Sequence, residues 1–324
     1  MAPKLYQLCF EGRLEQVRAA LRRGDNVNSR GHLFKCTALM YATKHTEVVK
    51  LLLEQPLLGV NGKNKTGETA LHYAVLYGNP EALQLLLEDS RLNCVNPVSD
   101  SGDTPLMRAV KSGQNEILSL LLAHKGIDIN RERDADGRTA ILIAVAFKNT
   151  EGLRLMLANP RLKDALNVGD ITHITPLMSA VISSNKEEIV RLLLKHPCID
   201  VNCRDEFGHT ALNFAAYLGR PEEARLILTE SGDKVDLNIR ETITGKTALH
   251  CAVQKHNNVI VKLLLERSDL DLACRDCKGY GVLAYAACYD NYEAEAMLME
   301  DKRFCAKCKV LCNFRQNSFE RNIC

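Results

Sequence analysis

The chain has 324 residues, of which 46% are hydrophobic and 25% charged, a balance that suits a globular protein and excludes disorder for most of its length. The longest wholly apolar run, AILIAVAF at 140–147, is far below the roughly 18 residues a membrane-spanning helix needs, and the opening MAPKLYQLCFEGRLEQ lacks the apolar core of a signal peptide. The net charge of +2 hides basic ends around an acidic middle: residues 1–35 carry seven Lys/Arg against three acids, residues 302–324 carry six against one, and the stretch between is net −7.

In chain order, the first element is LYQLCFEGRLEQVRAALRRGDNVN (5–28), which reads as two short helices with a glycine between them. A hexapeptide then recurs: TALMYA at 37–42, TALHYA at 69–74, TPLMRA at 104–109, TAILIA at 139–144, TPLMSA at 175–180, TALNFA at 210–215, TALHCA at 247–252 and a worn GVLAYA at 281–286. The intervals are 32, 35, 35, 36, 35, 37 and 34 residues, too regular for chance. A second apolar cluster follows each copy, as in VVKLLLE, ALQLLLE and IVRLLLK.

Within one unit, Thr69 is placed to cap a helix whose Leu71, Ala74 and Val75 form one apolar face, and Gly78 ends it. Asn79 and Pro80 then open a second helix, whose Leu85, Leu86 and Leu87 supply the next ridge. Pro105 and Pro176 fall at the first helical position, which tolerates a missing N–H. Between units lie stretches such as HPCIDVNCRDEFGH (196–209), which predict a hairpin-like arm turning at Asx-Gly positions.

Eight copies of two separate motifs, with a Thr-Pro-Leu-His-x-Ala pattern in the first, resemble the ankyrin-repeat family over about residues 4–301. The resemblance implies an all-α solenoid of stacked helix pairs with extended arms, nine units counting a cap at 1–35 and repeats over 36–301, followed by a Cys-rich basic tail at 302–324. The pattern's histidine survives only as His72 and His250, predicted to be interior hydrogen-bonding residues. Several arms, such as ESGDKVDLNIRETITGK, exceed the usual length.

Chemistry is scarce. TGKT at 244–247 ends like a phosphate-binding loop, but Arg240 stands where that loop needs its first glycine, and the equivalent TGET at 66–69 has Glu68 in place of Lys246. No His-Glu-x-x-His, zinc-finger spacing or Gly-x-Ser-x-Gly is present. Cys274 and Cys277 with Cys305 and Cys308 make two Cys-x-x-Cys pairs, yet their 27-residue gap exceeds the usual zinc spacing of about 15–20, so unligated thiols are expected. Thirteen cysteines without a secretory signal suit a reducing compartment.

The sequence therefore predicts a non-enzymatic protein-binding module or scaffold, with no cofactor and no metal, monomeric and cytoplasmic, the nucleus being a second option. Its partner would be another protein, met on the concave face of arms and first helices. The candidate contacts are arm-tip residues Phe34, Phe207 and Tyr280 and first-helix ends Tyr77, Phe147, Tyr217 and Tyr289. Lys65, Arg138 and Lys246, beside those tips, are expected to be solvated. The alternative is that the basic ends direct the chain to a nucleic acid or acidic membrane, or that the tail binds zinc, although the composition falls short of a nucleic-acid binder.

Overall fold

The computed structural model describes residues 3–162, 165–183 and 186–304. Cys305, Cys308, Cys312 and Cys324, and with them the tail reading, lie outside the described residues. The chain divides into two compact units, Met1–Ala165 and Leu166–Cys324. Among its described residues the first holds ten α-helices, α1 (Leu5–Glu11), α2 (Leu14–Arg22), α3 (Ala38–Ala42), α4 (Thr46–Leu53), α5 (Ala70–Leu76), α6 (Pro80–Glu88), α7 (Pro105–Lys111), α8 (Asn115–Ala123), α9 (Ala140–Ala146) and α10 (Thr150–Leu157). The second holds α11 (Pro176–Ile182), α12 (Glu187–Leu194), α13 (Ala211–Leu218), α14 (Pro221–Glu230), α15 (Ala248–Gln254), α16 (Asn258–Leu265), α17 (Val282–Cys288) and α18 (Tyr292–Glu300). In each unit the helices pair antiparallel, first helices packing on first helices and second on second along the stack.

The starts of the first helices follow from the recurring threonine. The hydroxyls of Thr37, Thr104, Thr175 and Thr210 accept from the N–H groups of Met40, Met107, Met178 and Asn213 at 3.2–3.4 Å, satisfying donors that a helix N-terminus leaves open. Pro105 and Pro176 occupy the first helical position. Leu71, Ala74 and Val75 are buried between neighbouring pairs, and Gly78 leaves α5 in the left-handed region at φ +64°. The three-leucine ridge is narrower than the sequence predicts: Leu86 is fully buried with Leu83, whereas Leu85 and Leu87 are half-buried, because successive helical residues turn about 100° and cannot share one face.

Asparagine does more than cap the second helices. Asn79 accepts from Ala82 N–H at 3.0 Å while its Nδ2 donates at 2.9 Å to the carbonyl of Thr43, in the preceding pair. Asn149 does the same for Gly152 and Val110, and Asn291 for Ala294 and Val253. A second series lies where each arm begins. Asn28, Asn61 and Asn96 each donate to a carbonyl of the next repeat (Leu57, Arg91, Gly126) and accept one of its N–H groups (Gly59, Asn93, Asp128). Asn167, Asn202 and Asn238 repeat the arrangement in the second unit. A primary amide offers the same donor and acceptor as a peptide group, so it can stand in for one between adjacent turns.

Arginine closes the other end. Arg91 donates to Leu53 and Gln55 carbonyls, Arg161 to those of Leu122, Lys125 and Ile127, and Arg303 to those of Leu265 and Arg267. Each guanidinium thus satisfies the open carbonyls at the C-terminus of the preceding second helix, where the helix dipole favours a cation.

The arms are hairpin-like turns: Asn64 N–H donates to Glu68 O, Asp205 to His209 O, Asp276 to Tyr280 O and, in the longer arm, Glu241 to Lys246 O. Among the described residues no strand forms, only single antiparallel bridges between Arg30 and Thr37 and between Arg275 and Gly281. Several turns are also held by an acidic or amide side chain: Asn64 accepts from Thr66 and Glu68 N–H, Asp205 from Phe207 and His209, and Asp276 from Lys278 and Tyr280. In the longer arm the carboxylate of Glu241 accepts from Ile243 and Thr244 instead.

Candidate interaction surface

Successive arms are joined tip to tip by one backbone hydrogen bond. Lys65 N–H donates to Phe34 O at 2.8 Å, Asp100 to Thr66 at 2.9 Å, Thr242 to Phe207 at 2.8 Å and Cys277 to Thr244 at 2.7 Å. Where the carbonyl immediately precedes a turn glycine, the approach explains the glycine. Gly67, Gly208 and Gly245 have φ of +71°, +81° and +75°, and a Cβ there would lie 2.9–3.0 Å from the incoming backbone nitrogen of Asp100, Thr242 or Cys277.

This resolves the Gly-Lys-Thr tripeptide. Gly245 makes room for the next arm, Thr247 starts α15, and Lys246 reaches sideways. Its Nζ lies 5.7 Å from the ring centroid of Tyr285 in the next first helix and donates to Gln254 Oε1 at 3.0 Å. Lys246 is half-buried, so the expectation that it is solvated fails; Lys65 is exposed, and half-buried Arg138 pairs with Asp136. At the position equivalent to Lys246, Glu68 pairs with Arg108, which occupies the place of Tyr285, at 2.5 Å. One repeat earlier, Cys36 Sγ lies 2.9 Å from the hydroxyl of Tyr73. In these three repeats the residue before the capping threonine thus meets the fifth residue of the next repeat's hexapeptide, whereas Asp103, Arg138 and His209 at the same position pair with Arg133, Asp136 and Asp205.

The Glu68–Arg108 pair is mostly shielded, with 17% and 19% of the side chains exposed. Burial alone would raise the Glu68 pKa, but hydrogen bonds from Arg108, Asn64 and Thr66 overcome it and hold the carboxyl below its ordinary value. Glu68→Lys should therefore destabilise the first unit by about 2–3 kcal/mol, and Arg108→Tyr added to it, recreating the Lys246–Tyr285 pair, should recover at least half. A double-mutant cycle by urea unfolding measures this; a coupling energy near zero would reject the pairing.

The seven predicted contact residues do not share one environment. Phe34, Phe147, Phe207, Tyr217 and Tyr289 are exposed, at 40–53% of their surface. Tyr77 and Tyr280 are half-buried, Tyr77 packing against Tyr73 with ring centroids 6.0 Å apart. Several exposed rings carry a lysine from the neighbouring repeat: Lys111 over Phe147 at 5.5 Å, Lys255 over Tyr217 at 4.4 Å, and Lys44 over Phe10 at 5.6 Å. Gln254 also donates to the Tyr289 hydroxyl at 2.8 Å. In the first unit Tyr6, Phe10 and Tyr41 form a further cluster, with centroids 5.6–6.0 Å apart, that the arm-tip reading missed because it sits on α1 and α3.

His72 and His250 are buried, as expected. The Thr69 N–H donates to Nδ1 of His72, which leaves Nε2 as the protonated nitrogen donating to Asp103 O at 3.0 Å in the next repeat. Burial, partly offset by that bond, lowers the His72 pKa to about 4; burial does the same to His250. Neither is available for acid–base work at neutral pH. Burial pushes the Cys274 thiol up to about 11, and that thiol donates to Asp271 Oδ2 at 3.4 Å; among the described residues no cluster of His, Cys, Asp or Glu could hold a metal ion. No helix among them is long and apolar enough to cross a membrane.

The family model for ankyrin repeats (3 copies) matches residues 5–96, 78–164, 158–241 and 234–308. The chain belongs to the ankyrin-repeat family. The crystal structure of the human ASB11 ankyrin repeat domain superposes with a TM-score of 0.55 at 25% identity, covering 71% of this chain and 98% of that one. Among curated relatives, mouse Rabankyrin-5 is 30% identical over 140 residues, 39% of this chain and 11% of its own length. The target of rapamycin complex 2 subunit AVO2 of Saccharomyces cerevisiae is 28% identical over 123 residues, 38% of this chain and 28% of its own. The chain thus spans between about a tenth and a third of these relatives. Ankyrin repeats generally mediate protein–protein interaction and are typically non-enzymatic.

Proposed function

We propose that the chain is a non-enzymatic scaffold that binds another protein on the face made by its arms and first helices. The observation that carries this reading is the exposure of large aromatic rings at recurring positions where the fold does not need them: Phe34 and Phe207 on arm tips, Phe147, Tyr217 and Tyr289 at first-helix ends. The frame beneath is hydrogen-bonded from repeat to repeat, so presenting these rings requires little rearrangement on binding. One ankyrin-repeat relative is by name a subunit of a multiprotein complex, which accords with a scaffold.

Alanine at Phe207, Tyr217 and Tyr280 together should lower the recovery of captured partner proteins by at least about tenfold, the loss expected for two or three hot-spot aromatics, with helical content unchanged. Quantitative affinity capture from cell extract, wild type against variant, reads this out. Undiminished recovery would reject the choice of face.

A further inference from the structure

Charge on the second unit is segregated in a way that aromatic exposure alone does not explain. On the second-helix side Arg191 pairs with Glu230, Arg225 with Glu222, Arg267 with Asp233 and Asp269, and Arg303 with Asp301. The helices on that side, α12, α14, α16 and α18, carry eight glutamates against three basic residues. The arm face is the reverse. Arg204, Arg240 and Arg275 recur one per arm beside Lys246, Lys255 and Lys278, and none of the six pairs with a carboxylate among the described residues.

The three arginines instead donate to carbonyls of their own turns, Gly208, Gly245 and Gly279, at 2.9–3.3 Å, which fixes the side chain without neutralising it. The acids of the same arms, Asp205, Glu241 and Asp276, are buried with their oxygens accepting backbone N–H groups. Within the turn halves of these arms (203–209, 239–246 and 273–280) and at the first-helix ends, Glu206 and Asp290 are the exposed acids among the described residues, whereas Asp200, Asp236 and Asp271 are exposed at the arm bases. Positive charge held in place, uncompensated and interleaved with Phe207, Tyr217 and Tyr289, is complementary to carboxylates spaced among apolar side chains.

We infer that the arm face of the second unit takes an acidic polypeptide segment, carboxylates meeting the arm arginines and lysines while apolar side chains meet the exposed rings. The inference rests on the reading of this face as the binding surface. A long polyanion suits it less, because the acidic second-helix side repels one that wraps.

The test titrates full-length protein, by fluorescence anisotropy, with a labelled peptide of about 20 residues alternating paired glutamates with leucine or tyrosine, beside its lysine counterpart and an RNA of matched length. Saturable binding of the acidic peptide alone, weakened at least about threefold between 50 and 200 mM salt, is expected. Lys255→Glu with Lys278→Glu should weaken it at least about tenfold, whereas Lys195→Glu with Lys262→Glu, an equal charge change at exposed positions on the second-helix side, should leave it within about twofold. No binding of the acidic peptide, equal loss in both double variants, or tighter binding of RNA would each overturn the inference. So would a salt-sensitive dimer abolished by the first pair, which would assign the face to a second copy. If captured partners are lost with the aromatic triple variant but kept with Lys255→Glu and Lys278→Glu, the protein-binding reading stands and the acidic segment falls.

Discussion

Asn79→Ala should destabilise the first unit by about 2–3 kcal/mol, large for one half-exposed polar side chain. The substitution removes two functions. The cap on the Ala82 N–H accounts for about 1 kcal/mol. The remainder comes from the carbonyl of buried Thr43, at the end of α3, which loses the Nδ2 donor that tied it to the following repeat. Asn79→Asp separates the two, since a carboxylate still caps and is favoured at a helix N-terminus but cannot donate. It should cost about half as much. Urea unfolding gives the magnitudes, and amide exchange should show α3 and α4 opening at lower free energy than in the wild type. Equal stability of all three proteins would mean that water replaces the asparagine at no cost.

Acid should weaken the protein well before its carboxylates are protonated. His72 and His250 are held neutral by burial, with pKa values lowered from an ordinary 6.5 to about 4. Between those values the unfolded chain binds a proton on each imidazole that the folded chain refuses, so stability is complete above about 6.5 and declines as pH falls toward about 4. The slope reaches at most about 1.4 kcal/mol per pH unit for each histidine. Glu68, Asp136 and Glu241, whose pKa values are lowered, add losses that begin near the ordinary carboxylate values of 3.8–4.5, at the lower edge of that window, and continue beneath it. His72→Asn supplies the comparison. Asn213 occupies the same place in its own repeat, accepting from Thr210 N–H at 3.1 Å without a titrating group. The variant should unfold with a pH slope shallower by one proton between about 4.5 and 6. An unchanged slope would show that the imidazole is protonated inside the fold.

The helix pairs were legible because their signals are local: a threonine hydroxyl reaches its own third residue, Pro105 and Pro176 announce a first turn, and Leu71, Ala74 and Val75 share a face within two turns. What the sequence concealed acts between repeats. Glu68 finds Arg108 forty positions on, and nothing near either residue signals the pairing until the repeats are laid side by side. The Lys246–Tyr285 contact was hidden for the same reason, which is why that lysine read as solvated. The hairpin-like arms were legible from Asx-Gly turns between alternating residues, whereas the tip-to-tip bonds that also join an arm to its neighbour leave no mark near either residue. Of the residues proposed for the binding face, Phe147, Phe207, Tyr217 and Tyr289 are exposed, while Tyr77 gives up part of its surface to the Tyr73 ring.

The arm-base asparagines bear on how such a chain can change. The side-chain amides of Asn28, Asn61 and Asn96 in one unit, and of Asn167, Asn202 and Asn238 in the other, bond to main-chain atoms of the following turn. Main-chain atoms are the same whatever side chains they bear, so such a joint places no demand on the composition of the segment it holds. Residues along the exposed edge can therefore be exchanged freely, or a whole repeat gained or lost, while each copy brings its own fastening.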